Sequence, residues 1–265
     1  MSLRLPVDHV GILGASASRM AECWRRLGFH VVGPADLKSG ARGDEQELGQ
    51  RSAHIMFPGD YIELTSVNPP RPDHHLARFF DRPLGIRLMI LASRDIGSDH
   101  HRCQQAGLEP GDVQDASRAV EGSGTARFRW FALPATRFSD TLVCYVQHLT
   151  PDLVFDDDMA QHPIGAVGLS RLVYKAPSLP AVYQRLPGGN GGLIVEAEAE
   201  DDAHRRYRVA QDADTGFAVV GIRISSRKRA GDLLRSAGIP HWSNDGCIGV
   251  DPSHTGGIGL LLESP

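Results

Sequence analysis

Four side chains sit inside apolar runs that would ordinarily exclude them. His9 lies in LPVDHVGIL, Glu63 in YIELTSV, Arg87 in GIRLMIL and His148 in TLVCYVQHLT. A carboxylate in such a setting is expensive to bury unless it is paired, hydrogen-bonded or bound to a cation. An imidazole there is either a hydrogen-bonded core residue or a group that moves protons or binds metal. An arginine in an apolar strand should face something polar. Arg87 can clamp a substrate carboxylate or phosphate in a bidentate manner, or it can pair with Glu63 and leave no room for a cation.

These residues need strands to carry them, and the chain supplies strands in a repeating order. Residues 5–13 read as a buried strand, followed by a helix with Met20, Cys23, Trp24 and Leu27 on one face. Ser16 or Ser18 can cap the helix start, and Gly28 can end it. Residues 36–51 are polar and contain glycine, which predicts a loop. HIMF and YIELTSV, joined by Pro58-Gly59-Asp60, read as a hairpin. A second round runs from GIRLMILAS through a helix ending QQAGL to RFRWFAL and TLVCYVQHLT, with Glu-Leu-Thr at 63–65 echoed by His-Leu-Thr at 148–150. A third opens at AVGLSRLVYKA, with a helix expected from the spacing of Leu179, Val182, Tyr183 and Leu186. A fourth opens at FAVVGIRIS, with a helix carrying Ala230, Leu233, Leu234 and Ala237 and a close at IGLLLE. Four weakly similar strand–helix–strand units follow from this pattern.

Composition narrows the function classes. The chain has 265 residues, 41% hydrophobic and 23% charged, enough for a sizeable core in one or two domains. A net charge of −4 argues against a nucleic-acid binder. No apolar run approaches the roughly 18 residues of a membrane span, and the N-terminus lacks a secretory pattern. Cys23, Cys103, Cys144 and Cys247 are scattered and read as reduced core residues of a cytoplasmic protein. There is no Gly-x-Ser-x-Gly elbow. PGGNGG (187–192) lacks the ending of a phosphate loop and reads as a turn. EAEAEDDAHRR (196–206) reads as a solvated charged stretch, His74-His75 and His100-His101 as exposed pairs, and Gln161-His162-Pro163 as a link between halves.

The stretches Asp8-His9-Val10, Arg26-Leu27-Gly28-Phe29, Asp60-Tyr61-Ile62-Glu63-Leu64 and Gly259-Leu260-Leu261-Leu262-Glu263 resemble the vicinal-oxygen-chelate superfamily, in particular its glyoxalase-like members. The resemblance implies an α+β fold of repeated βαβββ modules forming cupped mixed β-sheets. About four modules would lie in two halves: residues 1–155 with the candidate site, and 156–265, more degenerate, with only Glu263 at a ligand-like position.

It also implies a divalent metal held by His9 on a first strand and by Glu63 and His148 on last strands. A one-residue shift would put Gln147 in the place of His148, and the second module's first-strand position falls near Ile86, Arg87 or Leu88. Two imidazoles and one carboxylate with open positions suit Fe, Zn, Mn or Ni, and the ion would act as a Lewis acid on a substrate bound through vicinal oxygens. His54 is a rival ligand or a substrate contact. Arg87, Arg129 and Trp130 are candidate substrate contacts, although an outward-facing strand position would also account for Arg129. The expected function is a metal-dependent dioxygenase, lyase or isomerase acting on a small oxygenated substrate. The alternative is a sequestering or resistance-type binding protein without turnover. The second half is expected to be structural or to form homodimer contacts.

Overall fold

A computed structural model describes residues 2–40, 45–120, 122–187, 192–210, 216–244 and 246–264. The first round of the sequence becomes β1 (Ser2–Leu5), β2 (Val7–Leu13), α1 (Ala17–Arg26), β3 (Val32–Ser39), β4 (Gln46–Met56) and β5 (Tyr61–Val67). The second becomes β6 (Gly85–Ala92), α2 (Ile96–Gln105), β7 (Gln114–Val120), β8 (Gly124–Ala132) and β9 (Leu142–His148). The remainder is β10 (Ala166–Lys175), β11 (Leu193–Glu198), α3 (Glu200–Tyr207), β12 (Gly216–Ile224), α4 (Arg227–Ser236), β13 (His241–Asn244), β14 (Cys247–Val250) and β15 (Gly259–Glu263). The mixed α+β fold of cupped sheets expected from the sequence is the fold observed.

Helix α1 illustrates how local chemistry sets the elements. Ser16 is extended and its Oγ accepts a hydrogen bond from the Arg19 amide at 3.3 Å, satisfying a donor that the helix leaves open. Ala17, Met20, Ala21 and Trp24 face the sheet, and Leu27 follows them into the core. Each large apolar side chain so buried contributes about 2–3 kcal/mol. Gly28 then turns the chain at a φ of +88°, a conformation that glycine adopts without strain. Cys23, expected on the apolar face, is exposed.

Eight strands form a closed ring in the order β6-β2-β5-β4-β3-β7-β8-β9, with β9 pairing in parallel with β6. Residues 36–51, expected to be a loop, supply much of β3 and β4, and β7 is a further strand of polar composition. The pairing of β3 with β7, with Lys38 opposite Ser117, closes the ring. The third-round helix is reduced to a short 3-10 turn over Ala181–Arg185, while the charged stretch after β11 forms α3 and buries Ala203 and Tyr207. Most of PGGNGG lies outside the described residues.

Beyond the ring, β12 joins β6 through Phe217 and Ile86, and β10, β11, β14 and β15 extend the sheet. The N-terminal β1 crosses over to pair with β11. The link 161–163 fastens the two parts. His162 Nδ1 accepts from the His30 amide at 3.0 Å, and Nε2 donates to the Met56 carbonyl at 2.8 Å. Asp60, in the β4–β5 turn, accepts from the Leu169 amide at 2.9 Å. Burial pushes the Asp60 carboxyl up to about 6, although the Leu169 hydrogen bond and Arg223 act in the opposite direction.

A carboxyl whose folded value is raised favours the folded state when protonated, so its contribution falls as pH rises from about 4 to about 6. Asp60→Asn keeps an acceptor for the Leu169 amide and does not titrate. Its stability relative to wild type should therefore increase between pH 4 and pH 7.5, by up to about 3 kcal/mol. Urea midpoints at the two pH values measure this, and a pH-independent difference would refute it.

Candidate functional site

The interior of the ring is a cavity with an empty volume of about 670 Å³, part of it open at the mouth. Strand alternation makes every strand of the ring contribute to the wall. His9 of β2, Glu63 and Tyr61 of β5, and Gln50 and His54 of β4 form a polar side. Leu88 and Ile90 of β6, Leu142, Cys144 and Val146 of β9, and Phe128 and Trp130 of β8 form an apolar side. Leu37 of β3 and Ala116 and Arg118 of β7 complete the circuit, with His75 at the rim.

The polar side is organised by Asp8, which is 4% exposed. Its Oδ1 lies 2.7 Å from His9 Nδ1 and its Oδ2 lies 2.9 Å from His148 Nε2. Burial alone would raise the Asp8 carboxyl, but hydrogen bonds from His148 and His9 outweigh it and hold the group down at about 2. An ionised carboxylate only accepts, so both imidazoles donate to it. This fixes His9 with Nε2 towards the cavity, 3.8 Å from Glu63 Oε2 and 3.5 Å from the Tyr61 hydroxyl. The Tyr61 ring stacks on the His9 ring at 4.1 Å. Glu63 is steadied through its other oxygen, which accepts from Ser52 Oγ at 2.6 Å and from Gln50 Nε2 at 3.1 Å.

His9 and Glu63 are thus brought together, and His148 is not. Its Nε2 is engaged by Asp8, and its Nδ1 is buried with no hydrogen-bond partner. The strand register explains why. Aligning the helix caps Ser16 and Asp95 places Leu88 where His9 stands in the first module. Glu63 lies opposite Gly11 on β2, and Cys144 lies opposite Ile90 on β6, so Cys144 takes the place of Glu63. His148 corresponds instead to Val67, and the Glu-Leu-Thr/His-Leu-Thr echo is displaced by four residues, two strand repeats.

Of the four equivalent positions, two carry good metal donors and two carry an aliphatic carbon chain and a thiol. Burial pushes the Cys144 thiol far above its ordinary value, which keeps it protonated. Catalytic metal sites ordinarily take three protein donors. His9 and Glu63 alone fall short of that set, and no group of three or more His, Cys, Asp or Glu side chains converges on a common centre among the described residues.

The second cup is filled. Aligning Ser226 with Ser16 places Val219 at the His9 position and Leu261, opposite Gly221, at the Glu63 position. Both pack with Val173, Val209, Ala203 and Tyr207 in an apolar cluster. Glu263, read from the sequence as ligand-like, instead pairs with Arg171 at 2.8 Å.

The other expected contacts divide. Trp130 and His54 line the cavity. Burial, then the charges of Arg118 and His9, hold His54 well below the usual imidazole range, and its Nδ1 has no hydrogen-bond partner. Arg129 points outward from β8 and lies 3.6 Å from Asp115. Arg87 is turned away from the cavity. It donates to the Pro83 carbonyl at 3.2 Å and lies over the Phe79 ring, so it neither clamps a cavity ligand nor pairs with Glu63.

Asp8, Gln50, Arg118 and Cys144 were not singled out as cavity residues. Asp8 stood in the quoted Asp-His-Val, whose adjacent acid was the available signal. His74 is buried and His75 reaches the rim, contrary to the exposed pair expected. Burial, His74 and Arg78 push His75 down to about 3.

A family model for the glyoxalase-like domain matches residues 7–188. No curated protein matches the sequence. A hypothetical protein from Staphylococcus aureus superposes with a TM-score of 0.66 at 10% identity, covering 98% of this chain and 99% of the other. 4-Hydroxymandelate synthase from Streptomyces coelicolor gives 0.58 at 13% identity, covering 98% and 92%. A xylose isomerase-like TIM barrel/4-hydroxyphenylpyruvate dioxygenase fusion protein gives 0.61 at 12% identity, with 99% of this chain on 49% of that one. At these identities the superpositions establish a shared fold, one that small-molecule enzymes use. With a match over most of its length and the module architecture described above, the chain belongs to the glyoxalase-like domain family of the vicinal-oxygen-chelate superfamily.

Proposed function

We propose that this chain is a small-molecule enzyme that moves a proton on an oxygenated substrate, with His9 as the acid–base group. One observation carries the reading: Asp8 holds His9 through Nδ1 at 2.7 Å, and the remaining ring nitrogen opens on a largely apolar cavity. A carboxylate behind an imidazole fixes its tautomer and stabilises the imidazolium formed when Nε2 takes a proton. A carbon acid next to a carbonyl would sit in the cavity against His9 Nε2 and Glu63 Oε2, which lie 3.8 Å apart and side by side on the wall. Burial keeps the Tyr61 phenol protonated, and its hydroxyl is placed to donate to the oxygen that gains charge. Leu88, Phe128 and Val146 keep the reacting carbon away from bulk water.

A metal-dependent oxygenase, lyase or isomerase working through vicinal oxygens is the second reading. It is favoured by the way Asp8 grips His9, since metal-bound imidazoles commonly donate their other N–H to a carboxylate. Leu88, the engaged His148 and the lack of three converging donors among the described residues leave it short of a third donor.

Two measurements separate the readings. Wild-type protein in D2O should exchange the α-hydrogen of α-hydroxy ketones or α-hydroxy acids with apolar substituents, followed by proton NMR. His9→Ala should slow this by about 10²–10⁴-fold. Exchange that persists in His9→Ala removes the proton-transfer reading, and tight binding without exchange supports a sequestering protein. Metal analysis after reconstitution with Fe, Zn, Mn or Ni should give well under one ion per chain. A stoichiometric ion lost in both His9→Ala and Glu63→Ala would establish the metal reading instead.

A further inference from the structure

Arg118 is 8% exposed and lies on the cavity wall, and no hydrogen bond or ion pair of its guanidinium occurs among the described residues. Its place follows from β7, where Ala116 and Arg118 alternate inward, Ala116 opposite Phe128 and Arg118 opposite Ala126. The acids of the polar side are already engaged. Both Asp8 oxygens hold imidazoles, and Glu63 is taken by Ser52 and Gln50 on one oxygen and faces His9 with the other. A guanidinium stays charged at any physiological pH and is strongly disfavoured inside a protein without a counter-charge. Among the described residues the cavity therefore holds a cation with no partner at hydrogen-bond distance, and a ligand anion would supply one.

We infer that the cavity is a receptor for organic monoanions: a carboxylate seats on the Arg118 guanidinium, and an apolar body lies along Leu88, Phe128, Trp130 and Val146. A carboxylate matches the planar fork of arginine with two parallel hydrogen bonds. Phosphate monoesters fit less well, because a dianion would leave charge unmatched beside Glu63. The inference rests on the proton-transfer reading for its view of the cavity as a substrate site, and it adds the substrate class. Its test reads binding alone, so the two can fail separately.

The probes are phenylacetate with phenylacetamide, and hexanoate with hexanamide; each pair shares an apolar body and differs in charge. Calorimetric titration at pH 7 should show each acid binding about 10–100-fold more tightly than its amide, the range expected for a buried charge-assisted contact. Arg118→Met should abolish that preference while leaving amide affinity within about twofold, and Arg118→Lys should retain part of it. His9→Ala should keep the preference, whatever happens to exchange. Circular dichroism confirms that each variant is folded, and the comparison of acid with amide on wild-type protein needs no variant at all. Equal affinity for acid and amide, a preference that survives in Arg118→Met, or failure of both acids to bind at millimolar concentration would each overturn the inference.

Discussion

Both oxygens of the Asp8 carboxylate are taken by imidazoles from strands far apart in sequence, and the polar side of the cavity depends on that bridge. The carboxylate is almost fully buried, where an isolated charge is strongly disfavoured. Two charge-assisted hydrogen bonds offset the penalty and hold the group ionised. In doing so they tie β2 to β9 across β6 and aim His9 Nε2 at Glu63. His148 is best understood from this bridge. It is not part of the cavity lining; it holds the carboxylate that orients His9.

The closed ring supplies the complementary constraint. A ring has no free edge, so a side chain facing inward on any strand is shielded from bulk water. Closure depends on two polar segments whose composition reads as loop. In ordinary half-buried strands, apolar residues alternate with polar ones, and that period is what a reader of sequence looks for. In β4 and β7 both faces are polar in part, because the inner face meets a cavity and not a dry core. Gln50, Ser52 and Arg118 therefore erase the alternation that would have revealed their strands. Gln50 and Arg118 escape notice as cavity contacts for the same reason.

What was legible follows from where the signal is local. Helix faces such as Met20 and Trp24, the buried strand around His9 and the acid in YIELTSV each stand out within about ten residues, and all are where the sequence places them. The echo that pointed to His148 spans three residues across 85 positions, and the structure places that imidazole on Asp8 and outside the cavity lining. The helix caps Ser16 and Asp95 gave a better alignment, since a cap is tied to the geometry of the strand before it. Arg87 misled in another way. Its strand is apolar on both faces, and sequence cannot say which face carries the arginine; a bulge between Gly11 and Ile12 on the neighbouring β2 adds to the ambiguity.

The two cups show how one architecture reaches opposite ends from equivalent positions. In the second, Val219 and Leu261 turn the cup into core, and α3 plugs it with Ala203 and Tyr207. In the first, Leu88 and Cys144 make half of the corresponding set apolar and leave His9 and Glu63 as a polar pair. That half-replacement matters physically. A complete donor set would balance its charge with a cation at the centre. Here the centre keeps one carboxylate and one oriented imidazole, and a buried guanidinium stands on the strand that closes the ring. The guanidinium faces the same cavity as His9 and Glu63, and on the readings proposed above a ligand carrying its own negative charge and its own acidic hydrogen would fit between Arg118 and His9.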